Sequence, residues 1–165
     1  MCGSGVLLLV LVGGNALLGT VAYPHGAVTE ACSAMVPKHG GSTSGTNSAP
    51  YKVISNSSIY SDGDEITVTL QADSTAFRGF LLQAREVGGS KPVGTFTVTG
   101  GEAQLLTCDG LAGSAVSHTS KQDKTTITAT WKAPTDGNPK SIVFSCGVSG
   151  AASRVNPGQA RAKPT

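Results

Sequence analysis

Glu65-Ile-Thr-Val-Thr-Leu-Gln71 and Thr125-Thr-Ile-Thr-Ala-Thr-Trp131 decide the fold class. In the first run Ile66, Val68 and Leu70 alternate with Thr67, Thr69 and Gln71. In the second, Ile127, Ala129 and Trp131 alternate with Thr126, Thr128 and Thr130. A period of two sends successive side chains to opposite faces of a strand. Each run therefore predicts a strand with one apolar and one polar face, the pattern of antiparallel sheets wetted on one side.

Further strand signals flank these two. Tyr51-Lys-Val-Ile54 precedes them, separated from Glu65 by the turn Ser61-Asp-Gly-Asp64. Gly79 to Arg85 carries Phe80, Leu81 and Leu82 in succession and predicts a strand buried more deeply. Gly94 to Thr99 turns Phe96 and Val98 inward, and Ser141 to Cys146 places Ile142, Phe144 and Cys146 on one face. Gln104 to Cys108 and Ala115 to Thr119 are weaker strands. No stretch holds a 3.6-residue apolar period for three turns, and no internal repeat is present. Seven or eight strands in about 120 residues predict two antiparallel sheets packed as a sandwich. The chain has 165 residues, 22 of them glycine, with 13% charged and 39% apolar. That is one domain of strands and turns.

Charge narrows the partners. Three of the 12 basic residues, Arg154, Arg161 and Lys163, lie in the last stretch, leaving nine against all 10 acidic residues in the body. A near-neutral body does not suit nucleic acid or an anionic membrane, both of which demand a basic face. Gly147 to Thr165 has few large apolar residues, and its composition predicts a disordered basic tail.

Residues 1–22 read as a signal peptide. Val6-Leu-Leu-Leu-Val-Leu-Val12 is a short apolar core, and Thr20 and Ala22 stand at −3 and −1 of a cut before Tyr23. Val6 to Leu18 is too short and too glycine-interrupted to span a bilayer, and no later apolar run is long. Secretion is the resulting expectation, with residues 23–146 as the mature domain. Of four cysteines, Cys2 leaves with the leader. Cys32, Cys108 and Cys146 remain, enough in an oxidising compartment for one bridge and one spare thiol. Cys146 alternates inward with Ile142 and Phe144, as a small buried apolar residue would. No CxxC occurs, so no structural zinc site is expected.

Few residues carry chemistry. Asn56-Ser57-Ser58 is an N-glycosylation sequon. Asp62-Gly-Asp-Glu65 lacks the ligand spacing of a calcium loop and reads as a hairpin turn. His25, His39 and His118 show no metal-binding spacing. A triad of His118 with a serine and Asp109 or Asp123 has no nucleophile-elbow pattern behind it. Arg78 and Arg85 bracket an apolar run as snorkelling ends of a core strand. The polar loops Lys38 to Pro50 and Gly110 to His118, with His39 and His118, are the candidate binding segments. No metal, cofactor or catalytic residue is assigned.

A longer ordered series carries a family resemblance. It runs from Tyr23-Pro-His-Gly26, Cys32, Met35, Pro37, His39 and Tyr51 through Tyr60, Gly63 and Ile66-Thr-Val-Thr-Leu70. It continues with Phe77, Gly79-Phe-Leu-Leu-Gln-Ala-Arg85, Pro92-Val-Gly-Thr-Phe96 and Leu105-Leu-Thr-Cys108. Ser114-Ala-Val-Ser-His118, Trp131, Ala133-Pro134 and Ile142-Val-Phe144 complete it. The series resembles the reeler (reelin N-terminal) domain over most of Tyr23 to Phe144. The likeness is strongest toward the N-terminal domain of ferric-chelate reductase-like proteins, and small secreted insect defence proteins share it. The resemblance implies an immunoglobulin-like sandwich and a Cys32–Cys108 bridge. In the reductase-like proteins a second extracellular domain and a haem-binding transmembrane module follow. After Phe144 the family's β-branched and aromatic strand gives way to Ser145-Cys-Gly-Val-Ser-Gly-Ala-Ala152, which predicts a shortened last strand.

Three functions follow from the resemblance. The first is a secreted, non-catalytic recognition module, of innate defence, for an extracellular ligand on a microbial surface or in matrix. The second is the truncated N-terminal domain of a reductase-like membrane protein, and the third a matrix adhesion module. Exported protein should begin at Tyr23 on N-terminal sequencing; a retained Met1 would contradict the leader.

Overall fold

The computed structural model describes residues 25–35, 50–138, 140–150, 154–155 and 160–165. The expected leader, His39 and residues 38–49 of the first candidate loop lie outside them. In chain order the strands are β1 (Tyr51–Ser55), β2 (Ile59–Tyr60), β3 (Glu65–Ala72), β4 (Phe77–Glu86), β5 (Thr95–Val98) and β6 (Ala103–Cys108). β7 (Leu111–His118), β8 (Thr126–Lys132), β9 (Ile142–Gly150), β10 (Arg154–Val155) and β11 (Ala160–Pro164) follow. One 3-10 turn, Thr29–Ala31, precedes them.

The strands make two sheets. The smaller has the order β1-β3-β8-β5; the larger runs β2-β11-β9-β4-β7-β6, with β10 against β9. Every ladder is antiparallel except β2 with β11. The two alternating runs that set the fold class are neighbours. Ile66 lies opposite Trp131, Val68 opposite Ala129 and Leu70 opposite Ile127, while threonines 67 and 69 face threonines 130 and 128. The apolar residues thus form one continuous buried face. The β-branched threonines line the other, where cross-strand pairs of this kind stabilise a pleated surface.

β4 shows why three consecutive apolar residues fit one strand. Phe80, Leu82 and Ala84 enter the core between the sheets. Leu81, on the opposite face, joins Leu106 and Ala115 beneath Cys32 and Met35. Trp131 closes the main core. Its fully buried indole meets Tyr60 edge-on at 5.2 Å and Phe144 at 5.5 Å, so one side chain of the small sheet contacts two of the large sheet.

Two readings of the C-terminal stretch need correction. The last strand is not shortened: β9 runs to Gly150 and pairs with β4 along nearly its whole length, with Gly147 opposite Leu81. Nor is all of Gly147 to Thr165 a disordered tail. Val148 is fully buried, and β11 pairs with β9 and β2, placing Ala162 in the core. The composition argument looked for large apolar side chains. A strand hydrogen-bonded on both edges holds its place largely through its backbone and needs only a small side chain where the sheets approach closely. Ala162→Asp should therefore lower stability by about 2–4 kcal/mol, as an unpaired buried carboxyl does. A urea midpoint equal to that of the parent chain would mean that β11 does not pack there.

Candidate functional site

Two built features stand out on the sandwich: a strap over the outer face of the large sheet and a groove at the far end of β8. The strap is the described segment 25–35. Cys32 and Cys108 are joined by a disulfide with Cα atoms 5.7 Å apart. The half-bridge at Cys108 is presented by a two-residue hairpin, in which Asp109 and Gly110 both adopt positive φ, 51° and 77°. That is the turn an Asp-Gly pair favours between antiparallel strands. Ser114 Oγ, fully buried, bonds both the N–H and the carbonyl of Cys108.

Arg85 fastens the strap from below. Its Nη2 donates to the carbonyls of Cys32 and Ser33, the second at 3.1 Å. Nε and Nη2 both donate to Gln83 Oε1, at 2.9 and 2.8 Å. Burial pushes the guanidinium below its ordinary pKa, and the nearby Asp109 carboxylate opposes that shift. The arginine therefore does not snorkel to solvent as its sequence position suggested. At the other end of β4, exposed Arg78 pairs with Asp123 at 2.7 Å. Gln104 Nε2 adds bonds to the carbonyls of His25 and, at 2.7 Å, His118, tying down the start of the strap.

The groove, of about 570 Å³, is lined by apolar residues that include Pro92, Val93, Leu111 and Pro134 and by the charged Glu86, Lys132, Asp136 and Lys140. Its wall is held from within. Trp131 Nε1 donates to Val93 O at 2.8 Å. Gly94 has φ +69°, and a Cβ there would lie 2.4 Å from Lys132 O and 2.5 Å from Trp131 Nε1. Only glycine permits that approach. Tyr60 Oη donates to Lys140 O and accepts from Lys140 N at 2.9 Å, fixing that part of the wall, while Lys140 Nζ lies 3.4 Å from Glu86.

The candidate residues from the sequence disperse. His118 is not in a loop: it ends β7, is 8% exposed, and its Nδ1 lies 3.2 Å from Ser117 Oγ and 3.3 Å from the backbone N of Phe80. Its surroundings are the core, so it offers no ligand-facing surface. Most of Gly110 to His118 is strand, and only its Leu111 end reaches the groove. Asn56 is exposed beside β1. Cys146 is a free thiol in the main core, and burial pushes its pKa up. Among the described residues no three His, Cys, Asp or Glu side chains converge on a metal position. The groove was missed because its walls come from β4, the β5 approach and the end of β8, which only the fold brings together. The one local signal was the Pro92-Val-Gly94 run.

The family model for the reeler domain matches residues 30–153. The chain belongs to the reeler family. It is 44% identical over 126 residues to the ferric-chelate reductase 1 of Bos taurus, covering 74% of this chain and 20% of that protein. A Danio rerio relative of the same kind is also 44% identical, over 140 residues, and the chain spans 24% of its length. To "Putative defense protein 2" of Antheraea mylitta the identity is 40% over 126 residues, with 76% of that protein covered. The crystal structure of the reelin-N domain of F-spondin superimposes with a TM-score of 0.63 at 21% identity, over 75% of this chain and 92% of that one. That likeness concerns the fold. The reeler domain here thus has a strap fastened by a disulfide and by hydrogen bonds from Arg85 on one face, and a groove at one end.

Arg85→Met should cost this reeler domain about 2–4 kcal/mol, because the carbonyls and Gln83 Oε1 lose a buried donor. Hydrogen exchange should also quicken in the strap with the disulfide intact. Unchanged exchange around Cys32 would show that the disulfide alone holds it.

Proposed function

We propose that this reeler domain is a secreted, non-catalytic recognition module that takes an extracellular ligand in the groove beside Trp131. The supporting observation is the groove itself: a concavity lined by apolar residues and a few charges, with Gly94 and the Trp131–Val93 hydrogen bond in its wall, which is the usual form of a recognition site. The match to the insect defence protein over three quarters of its length supports a role in defence, with a microbial surface component as ligand. The buried positions of Ser117 and His118 leave them as structural residues, with no serine nucleophile facing the groove.

A second reading is favoured by the identity to the reductases: the domain serves as the extracellular N-terminal module of such a protein. Ferric reduction across a membrane employs a redox cofactor such as haem, held by axial ligands on membrane helices. Among the described residues no helix is long and apolar enough to cross a membrane. His118 is packed against Phe80 at 6.2 Å between ring centres. The residues described here therefore do not fit that cofactor, and under this reading the domain would contribute recognition rather than electron transfer. Likeness to F-spondin concerns fold and gives matrix adhesion no separate support.

Binding of the secreted chain to whole bacteria and to immobilised matrix components separates the readings. The defence reading expects retention on bacteria, weakened about tenfold or more by Leu111→Asp or Lys132→Glu, as at an interface hot spot. Retention on neither surface, or retention indifferent to both substitutions, would refute it.

A further inference from the structure

Among the described residues β1 is an edge strand of the small sheet, and it lies one loop away from β2, an edge strand of the large sheet. Free edges with exposed apolar side chains invite pairing with another chain. Each of these edges carries one: Ile54 on β1 is 45% exposed and Ile59 on β2 is 50% exposed, the highest values among the described large apolar residues. Neither edge is blunted by a proline or by an apolar cover within the described residues. Asn56-Ser57-Ser58 is the loop that joins them.

The loop is built to present Asn56. Its N–H donates to Thr67 O at 3.1 Å, and its Oδ1 accepts from Thr67 N at 2.9 Å. The carboxamide is thereby oriented with Oδ1 against the sheet and Nδ2 away from it. Ser57 Oγ donates to Ile59 O at 2.7 Å and accepts from Ile59 N at 3.2 Å, which tightens the turn. Lys163 N donates to Ser58 O at 3.0 Å. Lys52, Ile54 and Asn56 are all exposed, alternating with buried Tyr51 and Val53. Ile54 and Asn56 therefore share a face at about 7 Å spacing along the strand. Ile59 is three residues on, within about 11 Å of chain.

We propose that Asn56 carries an N-linked glycan whose first sugars lie over Ile54 and Ile59 and cap the adjacent β1 and β2 edges. In the transfer, Asn56 Nδ2 attacks C1 of an oligosaccharide carried on a polyprenyl pyrophosphate. The Nδ2–C1 bond forms, the C1–O bond to pyrophosphate breaks, and Nδ2 gives up one proton. A bulky hydrophilic group at this corner keeps a second chain from approaching either edge. It also screens the two isoleucines from water on one side. The proposal rests on export of the chain, and it explains why exposed isoleucines occur at this corner.

The test is to express the full chain in a eukaryotic secretory cell and to measure intact mass and N-terminus before and after treatment with peptide N-glycosidase. One glycan is expected, lost equally in Asn56→Gln and in Ser58→Ala. The enzymatically deglycosylated protein should bind more of a hydrophobic dye and self-associate at lower concentration. Ile54→Thr with Ile59→Thr should abolish that difference while leaving the glycan in place. A chain retained in the cell with Met1 intact would sink the export reading and the proposal together. Exported protein without a glycan at Asn56 would sink the proposal alone. Glycosylated protein whose dye binding and association are unchanged on deglycosylation would overturn the capping role.

Discussion

Much of this reeler domain depends on where one indole can be placed. Trp131 is the sole tryptophan, and its six-membered and five-membered rings fill the space between the sheets without reaching solvent. Edge-to-face contacts to Tyr60 and Phe144 tie β8 to β2 and β9. Such contacts add about 0.5–1.5 kcal/mol each beyond area burial. The indole N–H must find an acceptor once buried, and Val93 O is that acceptor. This requirement draws the β4–β5 connection against β8. It also forces glycine at 94, and it leaves the concavity that forms the groove. Packing, polar satisfaction and the shape of the site are thus one constraint viewed at three places.

The strap is a separate device. The disulfide closes a separation of 76 residues, which in the chain-entropy view contributes about 4 kcal/mol by restricting the unfolded chain. That restriction does not by itself align the strap on the sheet. Arg85 supplies the alignment, since its planar fork satisfies two backbone carbonyls and a glutamine oxygen together. Among the described residues Gln83 Nε2 has no hydrogen-bond partner in the same buried layer. The outer face of the large sheet is therefore both an apolar and a polar layer, which explains why β4 reads as hydrophobic on both sides yet carries Gln83 and Arg85.

The sheets were legible in the sequence where burial is one-sided. The runs at Ile66–Leu70 and Ile127–Trp131 alternate because one face is wet, and their pairing in the structure follows the same alternation. Legibility failed where backbone pairing does more than side chains. β2 has two residues, too few for alternation to show, and β11 places the small Ala162 in the core, so neither reads as a strand. β7 was half read, because Leu111 to Gly113 looks like loop until the Asp109-Gly110 turn is recognised as a hairpin. Arg85 at a strand end and His118 after a serine both resemble surface residues. Only the tertiary layout shows that one lies beneath the strap and the other against Phe80. The groove left only the Pro92-Val-Gly94 run as a local signal, because its walls come from segments far apart in the chain.

The central claim is that Trp131 is a fixed clasp between the sheets, on which the groove depends. With a single tryptophan, its indole N–H gives one resolvable signal for native-state hydrogen exchange. The account predicts that this proton exchanges only with global unfolding, so that its apparent opening free energy equals the stability measured by denaturant. Exchange at the pace of a surface loop, with the domain otherwise folded, would show that the Val93 bond opens freely and that the groove is not preformed.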